Sequence, residues 1–345
     1  MPAFVAVAAL VAVVAAACGP TPPESGRRAL ERVMPSTFVT PGDRLGLAGC
    51  PVFPRNNAFH ATISGLPAAP SSGATIAAAG GAGLPIMAGF GSGVWMGSRL
   101  GWPTNVVDAR TAPRNQMIVS FAYAHMSDMS GVPWPSQPRF EGWPGRSWDK
   151  HLEVLDSSTC TSWELINVQP PWENYYGGQL GMWYADAIVA LDLRSNEFRR
   201  GGTVTAAGLS MLATLTRFDE VASGRIDHVL SISLPNIRAG APAWPAQGSD
   251  GRSADPASPP MGTWLRLKDG VDVDRLPPQA RVVARALQEH GAVVTDTGPN
   301  AAIGGEPDVR WNDADLGSLR SLTLGDFEVV DPTPMRADAT SLAIR

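Results

Sequence analysis

A small set of carboxylate and imidazole side chains in this chain has the chemistry of acid–base catalysis. One carboxyl group protonates a leaving oxygen while a second acts as base or nucleophile, and histidines relay protons near neutral pH. We take Glu220 and Glu164 as the acid–base pair, with His151 and His228 orienting them or relaying protons. The predicted catalytic residues are Glu220, Glu164, His151, His228, Asp219 and Asp128.

Residues 217–234 (RFDEVASGRIDHVLSISL) must position part of this set. A carboxylate pair leads into an alternating apolar pattern, which predicts a strand. The face of that strand carries Ile226, His228, Leu230, Ile232 and Leu234. Because Asp227 points to the opposite face, the partner of His228 is either Glu220 or a residue of the segment 150–165. A core histidine bonded to a backbone carbonyl is the alternative.

The segment KHLEVLDSSTCTSWEL (150–165) predicts a hairpin. A two-residue turn at 157–158 would pair Leu152 with Trp163 and His151 with Glu164. That register groups His151, Glu153 and Glu164 on one polar face. An ordinary solvent-exposed face with a surface ion pair remains the alternative.

A long irregular segment follows the predicted strand Gln116–Tyr123 and contains two tryptophans and two acids. Long loops with few apolar anchors are either functional or disordered. We take Tyr123, Trp134, Glu141 and Trp143 as substrate-binding residues, since exposed tryptophans often stack on sugar rings. Burial of the tryptophans in the core is the alternative.

The N-terminal residues 3–17 (AFVAVAALVAVVAAA) form an apolar run, too short for a membrane span and typical of a signal peptide. No Lys or Arg precedes the run, so the signal is atypical or translation starts upstream. Ala16-Ala17-Cys18 resembles a lipobox, which predicts a signal peptide over 1–17 and lipidation of Cys18. A Pro-rich tether over 19–48 would then hold the protein on the outer face of the bacterial membrane, unless it is secreted.

Export implies an oxidising compartment, in which Cys50 and Cys160 are expected to form a disulfide. The long loop it closes would stabilise the fold by about 4 kcal/mol in the chain-entropy model. Two unpaired buried thiols are the alternative.

Composition and patterning predict a mainly β fold. Short strand signals alternate with turns rich in the 36 glycines and 31 prolines, which favours an antiparallel β-sandwich or jelly roll. One amphipathic helix is expected at about 278–290. The predicted organisation is a single β-rich domain over 49–332 and a C-terminal tail over 333–345.

Several function classes are excluded. A net charge of −5 without a basic run excludes nucleic acid as a partner. The glycine-rich segment near residue 90 has neither the phosphate-binding nor the GxSxG pattern. The histidines lack metal-ligand spacing, and the acids of 305–320 lack EF-hand spacing, so Asn312 or Asp313 is expected to cap a short helix. No cofactor and no metal ligand are predicted.

The order and spacing of several motifs resemble a family of secreted bacterial proteins and lipoproteins of unassigned function. They include CPVFPRNNAFHATISGLPAAPSS, KHLEVLD, RFDEVASGRIDHVLSISL and PPQARVVARALQEHGAVVTDTG, and the resemblance covers about residues 50–331. The family pattern Asn-x-Trp-Asn is replaced here by Asn57-Ala58-Phe59-His60, and a family histidine after Trp244-Pro245-Ala246 is missing. If these groups are catalytic in relatives, the departures imply a divergent or inactive member.

Three functional hypotheses follow. The first is a secreted or membrane-tethered carbohydrate-active enzyme that acts on a polysaccharide or cell-wall glycan, either as a glycoside hydrolase or as a lyase. The second is a non-catalytic cell-envelope lipoprotein that binds glycan or protein. The third is a metal-dependent hydrolase in which His151 and His228 meet a carboxylate in space.

Overall fold

Strands dominate the part of the chain that the structure describes. The computed structural model describes residues 46–145, 148–174, 180–199 and 201–345, which belong to the compact unit Ser36–Arg345. The predicted signal peptide, the lipidation site Cys18 and nearly all of the tether lie outside these residues. Within the described ranges, no helix has both the length and the apolar character needed to cross a membrane.

Eighteen strands and two kinds of helix make up the described secondary structure. The strands are β1 Gly46–Leu47, β2 Cys50–Pro51, β3 Ile86–Ala88, β4 Val94–Trp95, β5 Ser98–Arg99, β6 Thr104–Val107, β7 Arg114–Asn115, β8 Ile118–Val119, β9 Val132–Pro133, β10 Leu152–Asp156, β11 Thr161–Ile166, β12 Tyr184–Ala185, β13 Ala187–Asp192, β14 Leu230–Leu234, β15 Trp264–Leu267, β16 Ala292–Thr297, β17 Ala301–Ile303 and β18 Phe327–Val330. The α-helices are α1 Ser72–Ala79, α2 Phe218–Ala222, α3 Pro278–Glu289 and α4 Asp313–Gly317. Short 3-10 helices span Ala58–His60, Phe121–Met126, Leu212–Thr214, Val273–Arg275, Ser318–Ser321, Leu324–Asp326 and Thr333–Met335.

The largest sheet has six strands in the order β18-β15-β16-β14-β17-β3. The pairs β14/β16 and β17/β3 are parallel and the others are antiparallel. Strand β14 lies inside the sheet and is buried on both faces, so Ser231 is as inaccessible as Ile232. The mainly β prediction is confirmed, but this sheet is mixed rather than antiparallel.

The second sheet has four strands in the order β13-β11-β10-β6 and separates two apolar clusters. Leu152, Val154 and Trp163 point into a smaller cluster, whereas Leu155 and Val189 join the main core. The hairpin β10–β11 is present, but its register differs from the prediction. Leu152 pairs with Leu165 and Glu153 pairs with Glu164.

The register differs because the hairpin loop has four residues, 157–160, instead of two. The carboxylate of Asp156 accepts hydrogen bonds from the backbone N–H and the hydroxyl of Ser158, and from the hydroxyl of Thr159. Cys160 closes the loop in a left-handed conformation, with φ 53°. It forms the predicted disulfide with Cys50, with 5.3 Å between the two Cα atoms.

Helix α3 confirms the one helix predicted with clear amphipathic spacing. Pro277 precedes it, and its apolar stripe, including Ala280, Val283 and Leu287, is buried. The carboxylate of Asp315 accepts hydrogen bonds from the first free backbone N–H groups of α3. Asn312 caps the short helix α4 as predicted, because its side-chain oxygen accepts hydrogen bonds from the backbone N–H groups of Ala314 and Asp315.

The strand predicted within residues 217–234, with Ile226 as its first apolar residue, begins only at Leu230 as β14, and the carboxylates before it, Asp219 and Glu220, lie in helix α2. Acidic residues in the first turn of a helix are favoured by its dipole. Within the C-terminal tail 333–345, Leu342 is buried and exchanges backbone hydrogen bonds with Ala58 and Asn196.

Candidate functional site

Glu220 lies in a buried ionic cluster rather than in a cleft. Arg217 Nη2 donates to Glu220 Oε1 at 2.5 Å, and His228 Nε2 donates to Glu220 Oε2 at 3.1 Å. His228 Nδ1 donates to the carbonyl of Val229 at 2.9 Å, so both ring nitrogens face acceptors. Glu220 is therefore the partner of His228, one of the two that the sequence leaves open.

The electrostatics of this cluster suit a structural ion pair. Burial alone would raise the pKa of Glu220, but Arg217 and His228 outweigh it and lower the pKa to about 2. At neutral pH the group is an ionised carboxylate that neither donates a proton nor readily accepts one. The stability it contributes is present above its ordinary pKa of 4.5 and is lost as the pH falls towards 2.

Glu164 and Glu153 form a second buried carboxyl pair, opposite each other on β11 and β10. Both side chains are fully buried. Glu164 Oε1 accepts from the hydroxyl of Ser210 and the backbone N–H of Met211, each at 2.8 Å, and Glu153 Oε1 accepts from Ser162 at 2.7 Å. Neither Oε2 atom has a partner among the described residues.

Burial raises the pKa of Glu164 to about 7, although its hydrogen bonds oppose the shift. Burial, and then the charge of Glu164, raise the pKa of Glu153 well above its ordinary value. Two carboxyl groups in such a position cannot both ionise at low cost, so the pair retains a proton near neutral pH. The predicted acid–base pair, Glu164 and Glu220, is thus divided between two separate buried clusters.

His151 is the predicted catalytic residue with the arrangement of a general base. Its Nδ1 donates to Glu141 Oε2 at 2.7 Å, while Trp102 Nε1 donates to Glu141 Oε1 at 2.8 Å. Burial lowers the pKa of His151, but Glu141 outweighs it, and the net shift is upwards. No described residue hydrogen-bonds to Nε2 of His151, so this nitrogen has no protein partner that would prevent proton transfer.

The remaining predicted site residues are dispersed. Asp128 accepts from Arg199 at 2.6 Å and from the backbone N–H of Ala190 at 2.8 Å, so it supports the edge of β13. Trp134 and Trp143 are partly buried against the smaller apolar cluster, where Trp134 makes a tilted ring contact with Trp183 and Trp143 an edge-on contact with Phe140. Tyr123 is exposed on the 3-10 helix Phe121–Met126.

The sequence interpretation missed an exposed pair of stacked tryptophans, Trp95 and Trp148. Their ring centroids are 5.5 Å apart and the rings are inclined by 21°. Trp95 is 55% exposed and Trp148 39% exposed. Trp95 ends β4, one residue before the tight turn Met96–Gly97, in which both residues have positive φ as a type I′ hairpin requires.

Next to this hairpin is a surface pocket of about 270 Å³, lined in part by Trp95, Asp313 and Arg320. Ser92 donates to Asp313 through both its backbone N–H and its hydroxyl, each at 2.7 Å. A Cβ atom at Gly91 would lie 2.7 Å from the Asp313 carboxylate. The glycine-rich segment therefore forms part of the pocket lining, and Ser92 of this segment fixes the position of Asp313.

Comparison with protein-family models, curated proteins and solved structures gives no match. The function is therefore inferred from the geometry of the described residues. Within the described ranges, no group of three or more His, Cys, Asp or Glu side chains is placed to hold a metal ion. Two features bear on function: the pocket beside the exposed Trp95–Trp148 pair, named here the Trp95–Trp148 pocket, and the Glu141–His151 pair, whose imidazole is buried.

Proposed function

We propose that the protein is a cell-envelope protein that binds a glycan on the Trp95–Trp148 pocket. The observation that carries the proposal is the exposed tryptophan pair beside a pocket: Trp95 lines the pocket, Trp148 stacks on Trp95, and the otherwise mostly apolar lining contains the charged side chains of Asp313 and Arg320. Large aromatic side chains left in water cost free energy unless a ligand covers them, so exposed aromatic patches mark binding sites.

The mixture of groups fits a sugar better than a lipid or an apolar peptide. A pyranose ring has an apolar face of C–H groups that packs on the electron-rich face of an indole. Its hydroxyl groups need hydrogen-bond partners, and the carboxylate of Asp313 in the pocket lining can accept from them. The net charge of −5 disfavours a nucleic acid in the same position.

The same proposal includes a location outside the cell membrane and a sandwich-like arrangement of the two main sheets. Lipidation of Cys18 and the tether over 19–48 would hold the domain beside the cell-wall glycan, on the outer face of the membrane. The disulfide between Cys50 and Cys160 supports an oxidising compartment. Packing of the two main sheets across the shared apolar cluster supports the sandwich-like architecture.

Replacing Trp95 or Trp148 by alanine is expected to weaken glycan binding by about 10–100-fold, the usual loss for a central aromatic contact. A panel of cell-wall and plant polysaccharides, screened by affinity electrophoresis, identifies the ligand, and calorimetry measures the loss. Trp172→Ala is the matched control, because Trp172 is 72% exposed but neither lines the pocket nor stacks on Trp95; its ring contacts Trp183. Unchanged binding by both pocket variants would refute the proposed site.

A second candidate function is cleavage of the bound glycan, favoured by the Glu141–His151 hydrogen bond. A carboxylate that fixes the tautomer and orientation of a histidine leaves the other ring nitrogen as general acid or base, as hydrolases and lyases use it. The side chain of His151 is only 4% exposed and does not line the pocket, so cleavage would require a movement that opens a path to its Nε2 atom. Glu220 and Glu164 have no role in this second candidate function.

If the protein cleaves its ligand, His151→Gln is expected to lower kcat by about 100-fold or more and to leave KM nearly unchanged. Reducing-end release or absorbance of an unsaturated product reports turnover. Trp95→Ala should show the opposite pattern, a raised KM. A wild-type protein that binds a glycan tightly without cleaving it would reject this second function and leave the first intact.

A further inference from the structure

We propose that the sugar taken by the Trp95–Trp148 pocket carries a negative charge, and that Arg320 recognises it. The inference rests on the proposed glycan-binding function and specifies the class of ligand. Its basis is the charge arrangement of the pocket, which differs from that of the protein as a whole.

Arg320 lines the pocket and is exposed to solvent. Among the described residues, its guanidinium makes no hydrogen bond and no ion pair. Other arginines of the chain, such as Arg217, Arg266 and Arg310, are paired with carboxylates. A guanidinium at a pocket wall presents a planar fork of donors that matches a carboxylate, sulfate or phosphate group.

The one carboxylate of the pocket lining, that of Asp313, forms no ion pair with Arg320. Both oxygens of Asp313 accept hydrogen bonds from Ser92, through its N–H and its hydroxyl. A second guanidinium, that of Arg99, lies on the hairpin and donates to the carbonyl of Ser92 at 3.1 Å. The pocket lining itself therefore contains one guanidinium, that of Arg320, and one carboxylate, that of Asp313, in a protein whose net charge is −5.

Together these groups specify a two-part contact. The ring of the sugar packs on the tryptophan pair, and its anionic substituent lies at Arg320. Acidic polysaccharides carry such substituents as carboxylates of uronic acids or as sulfate and phosphate esters. The shared chemistry is an anionic group on a pyranose ring, and the experiment separates the three sources.

The test measures binding of the full-length protein to matched polymers at low and high salt. The arms are polygalacturonate, its methyl-esterified form, dextran sulfate, a phosphomannan and unmodified dextran. One anionic polymer is expected to bind at least about tenfold more tightly than its neutral counterpart, with the advantage reduced by salt. Arg320→Gln should abolish that preference without affecting neutral binding, and Arg320→Lys should restore part of it.

Arg275→Gln is the matched control, because Arg275 is exposed and lies away from the pocket lining. Equal binding of charged and neutral polymers, or an anionic preference that survives in Arg320→Gln, would overturn the inference. In that event, loss of neutral binding in Trp95→Ala would still support the proposed function. Absence of binding to every polymer, charged or neutral, would reject both.

Discussion

Replacing Glu220 by glutamine is expected to lower the free energy of unfolding by about 3–5 kcal/mol, since it leaves a buried charge without its partner. The side chain of Arg217 is only 6% exposed, and its Nη2 atom donates to Glu220 Oε1. Removing the carboxylate charge leaves the guanidinium in a poorly solvated position, and the single amide oxygen of glutamine cannot accept from both Arg217 and His228 as the two carboxylate oxygens do. Urea unfolding at pH 7 measures the loss.

The neighbouring carboxylate provides a matched control on the same helix. Asp219 pairs with Arg310 at 2.8 Å, and both side chains are partly exposed, so Asp219→Asn should cost about 1 kcal/mol or less. Replacing Arg217 and Glu220 together by methionine removes both charges and is expected to recover most of the loss. Similar costs for Glu220→Gln and Asp219→Asn would show that the buried pair contributes little.

This contrast explains what the sequence could and could not indicate about the candidate site. Alternation correctly placed His228 in the interior and left Glu220 as one of two possible partners. It could not indicate that Arg217, a residue of ordinary appearance in sequence, folds back to neutralise Glu220. Whether a carboxylate–histidine pair is catalytic depends on solvent access and on the third group, and both are set by long-range packing.

The exposed tryptophans illustrate the opposite limitation. Trp134 and Trp143 lie in a long loop, where aromatic residues are expected to be exposed, yet they pack on the smaller apolar cluster. Trp95 and Trp148 are far apart in sequence, and their contact depends on the loop around Gly145 lying against the β4–β5 turn. No local periodicity reports such a contact.

Parts of the fold that depend on local or covalent constraints were predictable. Helix α3 has its own apolar spacing and proline start, and the disulfide was predicted from two cysteines in a chain expected to be exported. The register of the β10–β11 hairpin was not predictable, because the side chain of Asp156 and the disulfide at Cys160 together select the longer loop. The same register determines that Glu153 lies opposite Glu164.

The Glu153–Glu164 pair is expected to make the protein less stable as the pH rises from about 4.5 to about 7. The pKa of Glu164 is raised to about 7, so between these values the folded state binds more protons than the unfolded chain. The stabilisation is complete below the ordinary pKa of 4.5 and is lost as the pH passes the folded-state value. A shift of this size corresponds to about 3 kcal/mol. Urea unfolding from pH 5 to 8 measures the slope.

Glu153→Gln should flatten this dependence, because an amide N–H can donate to the free Oε2 of Glu164 without supplying a second charge. Glu306 is also buried with a pKa raised to about 7, so part of the slope should remain in Glu153→Gln and fall further in the double variant with Glu306→Gln. Glu197→Gln, at an exposed position, serves as the control and should reproduce the wild-type curve. A wild-type stability that stays constant from pH 5 to 8 would mean that the pair is ionised in the folded state. The unpartnered Oε2 atoms would then require a donor other than a shared proton.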